Sequence, residues 1–161
     1  MFIHFLRTST VASYVLTVLR LYLGYQWIKY GWGKLSAGAF DASGFMQMAV
    51  ENATGEKPTV HGWWADFLTT FAIPNVRLFN VLIPIGEFVV GLALILGFFT
   101  PIAAFFGLSM NFAYMFSGTT GDNPLKVLLG MIVLVSGYNA GRNGLDYFIY
   151  KYFRGRKVPQ N

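Results

Sequence analysis

The sequence predicts an all-α integral membrane protein: a four-helix bundle with short interfacial helices in a long external connection between spans one and two. Three observations predict it. Hydrophobic residues make up 55% of the 161-residue chain and charged residues 12%, about half the charge of a typical soluble domain. The run from Leu78 to Phe99 carries one ionisable side chain, Glu87, and as a helix it is long enough to cross a hydrocarbon core of roughly 30 Å. Thr100-Pro101 and Asn123-Pro124 each pair a capping residue with a proline, the signature of a helix start, and each opens a further apolar run. The length suits one domain over 1–161.

Span one covers about 11–33, and Thr8, Ser9 or Thr10 offers its cap. It is the most polar span, with Arg20, Gln26 and Lys29 inside it and Lys34 just beyond. Arg20, Gly24, Trp27 and Gly31 share one helical face. Lys29 and Lys34 lie near enough to the end to snorkel. The connection 36–77 reads as short helices over 45–51 and 63–71, punctuated by Gly55, Pro58, Gly62 and Pro74. Trp63 and Trp64 mark an element at the membrane surface. A structureless loop of this length is uncommon, so the connection is expected to fold over the bundle mouth.

Span two covers about 78–99, with Pro84 expected to bend it near Glu87. Gly86, Gly91, Ala93 and Gly97 allow a neighbouring helix to approach closely. Span three covers 102–117 and contains Asn111, and span four covers 125–138. Both are short for a bilayer. A basic tail, 142–161, follows.

Four spans put both termini on one side, with Arg7, Arg142, Lys151, Arg154, Arg156 and Lys157 against Asp146. The positive-inside tendency makes that side cytoplasmic and the 36–77 connection external. The expected location is the cell membrane, with multiple passes and the lipid bilayer as partner. The basic tail suits anionic lipid rather than nucleic acid. The start lacks a signal-peptide cleavage pattern, so span one is read as the insertion signal.

The absence of cysteine excludes disulfides, thiol redox chemistry and Cys-ligated Fe–S or zinc sites. His4 and His61 lie outside the spans, which excludes a haem held between two intramembrane histidines. No metal site and no tightly bound redox centre is evident. Redox chemistry would need a diffusible quinone or a second redox subunit.

Glu87 is the leading candidate. A carboxylate at mid-span costs on the order of a few kcal/mol and normally pairs, faces the bundle interior or serves a pathway. Arg20 is the matching cation. Counted from opposite membrane faces, the two fall at similar depth, so they are expected to pair and are the catalytic candidates. The plainer reading is an ion pair that fixes packing. Desolvation would raise the pKa of Glu87 and a nearby arginine would lower it. An unneutralised Arg20 would bind an anion such as a sulfur oxyanion. Trp27, Asn111, Trp63 and Trp64 are candidates for substrate or quinone binding. Their plainer roles are interface anchoring for the tryptophans and helix–helix hydrogen bonding for Asn111. Arg142 and Asp146, at i,i+4, read as a helix-end salt bridge and topology anchor.

The chain resembles the DoxX family, and within it the DoxD-like branch named for a membrane subunit of thiosulfate:quinone oxidoreductase. The resemblance rests on Arg20-Leu-Tyr-Leu-Gly24-Tyr-Gln-Trp27-Ile-Lys-Tyr-Gly31-Trp-Gly-Lys34, on Phe40-Asp41-Ala-Ser-Gly44-Phe45, on Trp63-Trp64 and on Pro74-Asn75. It continues in Gly86-Glu87, Gly91, Leu96-Gly97-Phe98-Phe99-Thr100, and Asn139-Ala140-Gly141-Arg142 followed by Leu145-Asp146. It implies a four-helix protein of a prokaryotic plasma membrane with a link to sulfur or quinone redox chemistry. Three function classes follow. One is a subunit passing electrons from a reduced sulfur compound such as thiosulfate to quinone. Another is a non-catalytic anchor or assembly subunit for a redox partner. The third is a small transporter or lipid-binding module. Oligomeric state is left open.

Overall fold

The computed structural model describes residues 1–153. Of the basic tail, Arg154, Arg156 and Lys157 lie outside the described residues. Among the described residues every regular element is helical. Helix α1 (Phe2–Thr8) meets α2 (Thr10–Ser36) at Ser9, where the backbone is extended and the axes turn by 84°. Ser9 is the cap: its hydroxyl accepts from the Ala12 N–H at 3.3 Å, satisfying a first-turn donor.

The connection folds as expected, into α3 (Ser43–Glu51) and α4 (Gly62–Phe67), the latter continuing as a π-helical turn over Leu68–Ala72. Its own core of Ala42, Met46, Ala49, Val60, Leu68 and Ala72 packs on Phe79 and Ile83 of α5 (Val76–Leu96). Helix α5 runs unbroken through Pro84. Then come α6 (Thr100–Phe116), α7 (Asn123–Ser136), α8 (Tyr138–Gly141) and α9 (Leu145–Phe153).

The long helices α2, α5, α6 and α7 pack in a ring, each against two neighbours. Leu16, Leu23, Trp27, Val90, Leu94 and Val133 fill its centre. Among the described residues, helix α5 alone is long and apolar enough to cross a membrane by itself; α1 and α2 pass that test together as a bent pair, and α6 and α7 are apolar but shorter.

Helices α2 and α5 are antiparallel and almost touch backbone to backbone. A Cβ on Gly24 would lie 2.7 Å from Ile95 and one on Gly31 would lie 2.5 Å from the Phe88 N. Only glycine permits that approach. This register puts Glu87 level with Trp32 and Arg20 level with Phe99, about 18 Å apart along the axis. The helices are therefore staggered. The lower half of α2 runs past the end of α5 and packs on α7 and α8.

The α5–α6 corner departs from the sequence reading. Thr100 does not cap; it is already helical, its hydroxyl is buried without a partner, and Phe99 takes the cap position with φ 45. A left-handed phenylalanine costs about 1–2 kcal/mol. Asp146 offsets it: its carboxylate accepts from the Phe99 N–H at 2.7 Å and the Thr100 N–H at 2.9 Å. The negative charge also suits the α6 N-terminus. The expected Arg142–Asp146 salt bridge is absent. A turn between α8 and α9 separates the two residues, so i,i+4 spacing does not bring them together. Arg142 instead reaches Thr10 Oγ1 at 3.5 Å.

The α1, α8 and α9 end is tied by polar contacts. Asn139 donates to the carbonyls of Leu6 and Ser9 at 2.8 and 2.9 Å, and Arg7 Nε donates to the Val135 carbonyl at 2.8 Å.

Candidate functional site

Glu87 lies on the inner face of α5, 1% exposed. Its partner is Lys34 and not Arg20. Lys34 Nζ donates to both carboxylate oxygens at 2.6 Å, and the Tyr114 hydroxyl donates to Oε1 at 2.5 Å. Two donor groups thus give one carboxylate three charge-assisted hydrogen bonds. The stagger explains the change of partner. Lys34, in the last turn of α2, comes within reach of Glu87, while Arg20 is more than two helical turns below it. The side chain of Lys34 is 24% exposed. It points inward to an ion pair instead of snorkelling outward.

Arg20 is 2% exposed and sits beneath the α5–α6 corner. Its Nη2 donates to the Asn143 carbonyl at 3.4 Å, while Nε and Nη1 have no hydrogen-bond partner. Asp146 provides the nearby negative charge. Gly97 and Gly144 enclose the guanidinium; a Cβ on either would run into Nη1.

Beside Glu87 is a cavity of about 270 Å3. Trp27 and Tyr30 of α2, Phe45 of α3 and Tyr114 of α6 form its aromatic walls. Lys34, Glu87, Asp122 and Lys126 supply its charges. Lys126 is buried, pairs with Asp122 at 3.1 Å and lies 4.3 Å above the Tyr30 ring and 5.8 Å from that of Trp27. Such cation–π contacts hold an ammonium group against aromatic faces. The Asp122 side chain is 45% exposed, so the α6–α7 turn is the open flank. Helix α3 covers another, with Phe45 edge-on to Tyr114 at 6.0 Å.

Of the sequence candidates, Glu87 and Trp27 come together at this cavity, and Trp27 is buried as its wall. The others lie elsewhere. Trp63 is 57% exposed, and Trp64 stacks on Phe67 while donating to Ser117 Oγ at 2.8 Å. These contacts fix α4 to the end of α6. Asn111 is buried in α6, and its Oδ1 has no partner. Among the described residues no three His, Asp or Glu side chains gather into a metal-binding group.

Sequence reasoning missed Lys34, Tyr114, Tyr30 and Lys126 as site residues. A signal existed for two of them. Lys34 lies two turns beyond Trp27 on the same face. Lys126 sits in the first turn of an apolar helix, where the helix dipole disfavours a cation, so its placement needs a compensating role. Tyr114 carried no such mark among so many aromatics.

No curated protein and no solved structure matches the chain. The DoxX family model matches residues 15–119, which span α2 to α6 and include Trp27, Lys34, Glu87 and Tyr114. The matched segment is most of the sequence, and the chain belongs to the DoxX family.

Proposed function

We propose that the chain is a multi-pass membrane redox subunit that binds a lipid-soluble quinone in the cavity beside Glu87. The observation that carries this reading is the cavity's composition: aromatic walls and four proton-bearing groups, Tyr30, Lys34, Tyr114 and Lys126, around one space. Small-molecule sites are usually about 300–1,000 Å3. A space of about 270 Å3 suits a single ring headgroup with its tail outside.

A bilayer setting is supported by α5. Only 28% of its apolar window is buried inside the fold, whereas the core helix of a soluble protein hides most of its surface. Leu78, Val81, Leu82, Ile85 and Val89 are all exposed. In this reading α2, α5, α6 and α7 are the four spans, and the short α6 and α7 are accommodated by local thinning of the bilayer. Both termini are cytoplasmic, and α3 and α4 cap the site from outside.

Quinone reduction takes up two electrons and two protons. Lys34 and Tyr114 hold protons at the cavity wall, and Glu87 fixes both donors in place and stabilises the positive charge of Lys34. Lys126 offers a cation to the developing negative oxygen. The electrons come from outside the chain, because it has no cysteine and no paired intramembrane histidines. The donor is a reduced sulfur compound such as thiosulfate, two ions of which give two electrons on oxidative coupling, or a second redox subunit. A role as a membrane anchor for such a subunit, without a quinone site, is the alternative; it is favoured by the basic terminal end.

The test uses a short-tailed quinone titrated into protein purified in mild detergent, read by tryptophan fluorescence. Saturable quenching is expected, lost in Trp27→Phe and weakened at least about tenfold in Lys126→Met. Absence of saturable quenching, or quenching indifferent to both substitutions, would overturn the quinone site and leave the anchor reading.

A further inference from the structure

At the C-terminal end of α5, a groove of about 490 Å3 lies between Ile95 and Leu96 on one side and Arg142, Gly144, Leu145 and Phe148 on the other. It shares no lining residue with the Glu87 cavity. Its chemistry is divided. Leu96 and Phe148 are 45% and 64% exposed and form an apolar lip. Arg142 is the cation of the groove. Among the described residues it forms no ion pair, and its hydrogen bond is the long one to Thr10 Oγ1. Behind the groove floor, Arg20 donates to the Asn143 carbonyl and has Asp146 as its countercharge. Arg142 therefore supplies the net charge.

The apolar lip continues along one face of α5. Leu96, Leu92, Val89 and Ile85 are all exposed, at 45, 41, 54 and 46%, and their spacing stacks them on successive turns. The track is about 16 Å long, close to half of a hydrocarbon core roughly 30 Å thick. That is the depth of one lipid leaflet.

We propose that this groove binds an anionic phospholipid. The phosphate pairs with Arg142, the glycerol lies between Leu145 and Phe148, and an acyl chain follows the Leu96–Ile85 track. One uncompensated guanidinium matches one phosphodiester. A zwitterionic lipid brings its own ammonium group into the field of Arg142 and binds less well. Basic pockets at helix ends take acidic headgroups for the same reason.

The test titrates full-length protein in mild detergent with phosphatidylglycerol or with phosphatidylcholine of the same chains, and counts bound lipid by native mass spectrometry. One phosphatidylglycerol site is expected, about fivefold tighter than for phosphatidylcholine, the factor for one cation beside an anionic surface. Arg142→Gln should remove the preference and Arg142→Lys should keep most of it. Phe148→Asp should weaken phosphatidylglycerol binding, and Lys151→Gln, outside the groove, should leave it unchanged. Equal affinity of the native protein for both lipids would overturn the proposal. So would a preference that survives Arg142→Gln, or one that falls as far in Lys151→Gln, which marks diffuse attraction to a basic surface. If Arg142→Gln does not fold, unchanged phosphatidylglycerol binding by Phe148→Asp overturns the proposal equally well.

Discussion

At the Lys34 end of α2, a buried carboxylate holds donors from two other helices and borders open space. At the Arg20 end, a buried guanidinium is enclosed by glycines, meets one backbone carbonyl and lies outside the lining of that space. Both places hide a charge between the same pair of helices, at opposite ends of their contact. The difference lies in what the surroundings can still do. Glu87 is fully paired, and its partner Lys34 stays partly accessible, so a ligand can meet a proton donor without exposing the carboxylate. Arg20 lies outside the lining of that cavity and of the groove at the end of α5. It acts on the fold, by filling the gap beneath a corner whose cap comes from Asp146. Burial of a charge alone does not mark a site; a charge beside unfilled space with an aromatic wall does.

The largest effect that would break this comparison is loss of Lys34. Lys34→Met strands a carboxylate that is 1% exposed with only Tyr114 to bond it, and such uncompensated charges cost about 3–5 kcal/mol. Glu87→Gln in the same chain should restore part of the loss. Arg20→Met and Glu87→Gln should be additive, since the register holds them about 18 Å apart. Denaturation of each single and double variant in detergent reads these cycles. Coupling between Arg20 and Glu87 comparable to that between Lys34 and Glu87 would refute the staggered register.

A smaller effect sharpens the comparison from the other end. Asp146→Ala removes the acceptor for the Phe99 and Thr100 N–H groups and the countercharge of Arg20. Hydrogen bonds to a charged group contribute about 1.5–3 kcal/mol, and stability should fall by about that much. Quinone quenching of Trp27 in the folded fraction should not change, because Asp146 does not border that cavity. Equal damage to stability and to ligand binding would mean that the two ends are not separate. Tyr114→Phe should show the opposite balance, with the ligand affected more than the fold.

The division between the two ends was partly legible in the sequence. The apolar runs, the Gly-rich face of α2, the folded connection and the burial of Glu87 in a charge pair all followed from periodicity and from the cost of a charge at mid-span. The partner of Glu87 did not. Depth counted from the ends of apolar runs assumes that neighbouring helices begin and end together. Gly24, Gly31 and Gly91 instead fix a register displaced by several turns, and that offset is decided by backbone contact between two helices. The role of Asp146 was hidden for a related reason. Its partners, Phe99 and Thr100, are remote in sequence, and no local pattern announces a cap delivered from another helix. Arg142 and Asp146 looked like a helical pair only because a turn between them has no hydrophobic signature.

The smallest expected effect concerns the clamp that holds the connection over the cavity. Asp41 accepts from the Ser43 hydroxyl at 2.6 Å, the Ser43 N–H at 3.0 Å and Asn80 Nδ2 at 3.1 Å. Asn80 in turn accepts from the Ala42 N–H at 2.8 Å. The start of α3 is thereby fixed to α5, and with it Phe45 at the cavity wall. The Ser43 bonds, and then the Asn80 bond, hold the Asp41 carboxyl below its ordinary value. A depressed carboxylate stabilises the fold fully above its unfolded pKa of about 3.9, and that contribution is lost as pH falls through the lower, folded value. Between pH 7 and 5 the clamp should hold unchanged. Below pH 4, hydrogen exchange at residues 42–46 should rise before exchange in α5 does. Asp41→Asn, which keeps an acceptor without the titration, should remove the pH dependence and leave exchange at pH 7 nearly as slow. Uniform acceleration along the whole chain on acidification would mean that the clamp and the bundle open together, and that the connection is part of the core and not a separate cover.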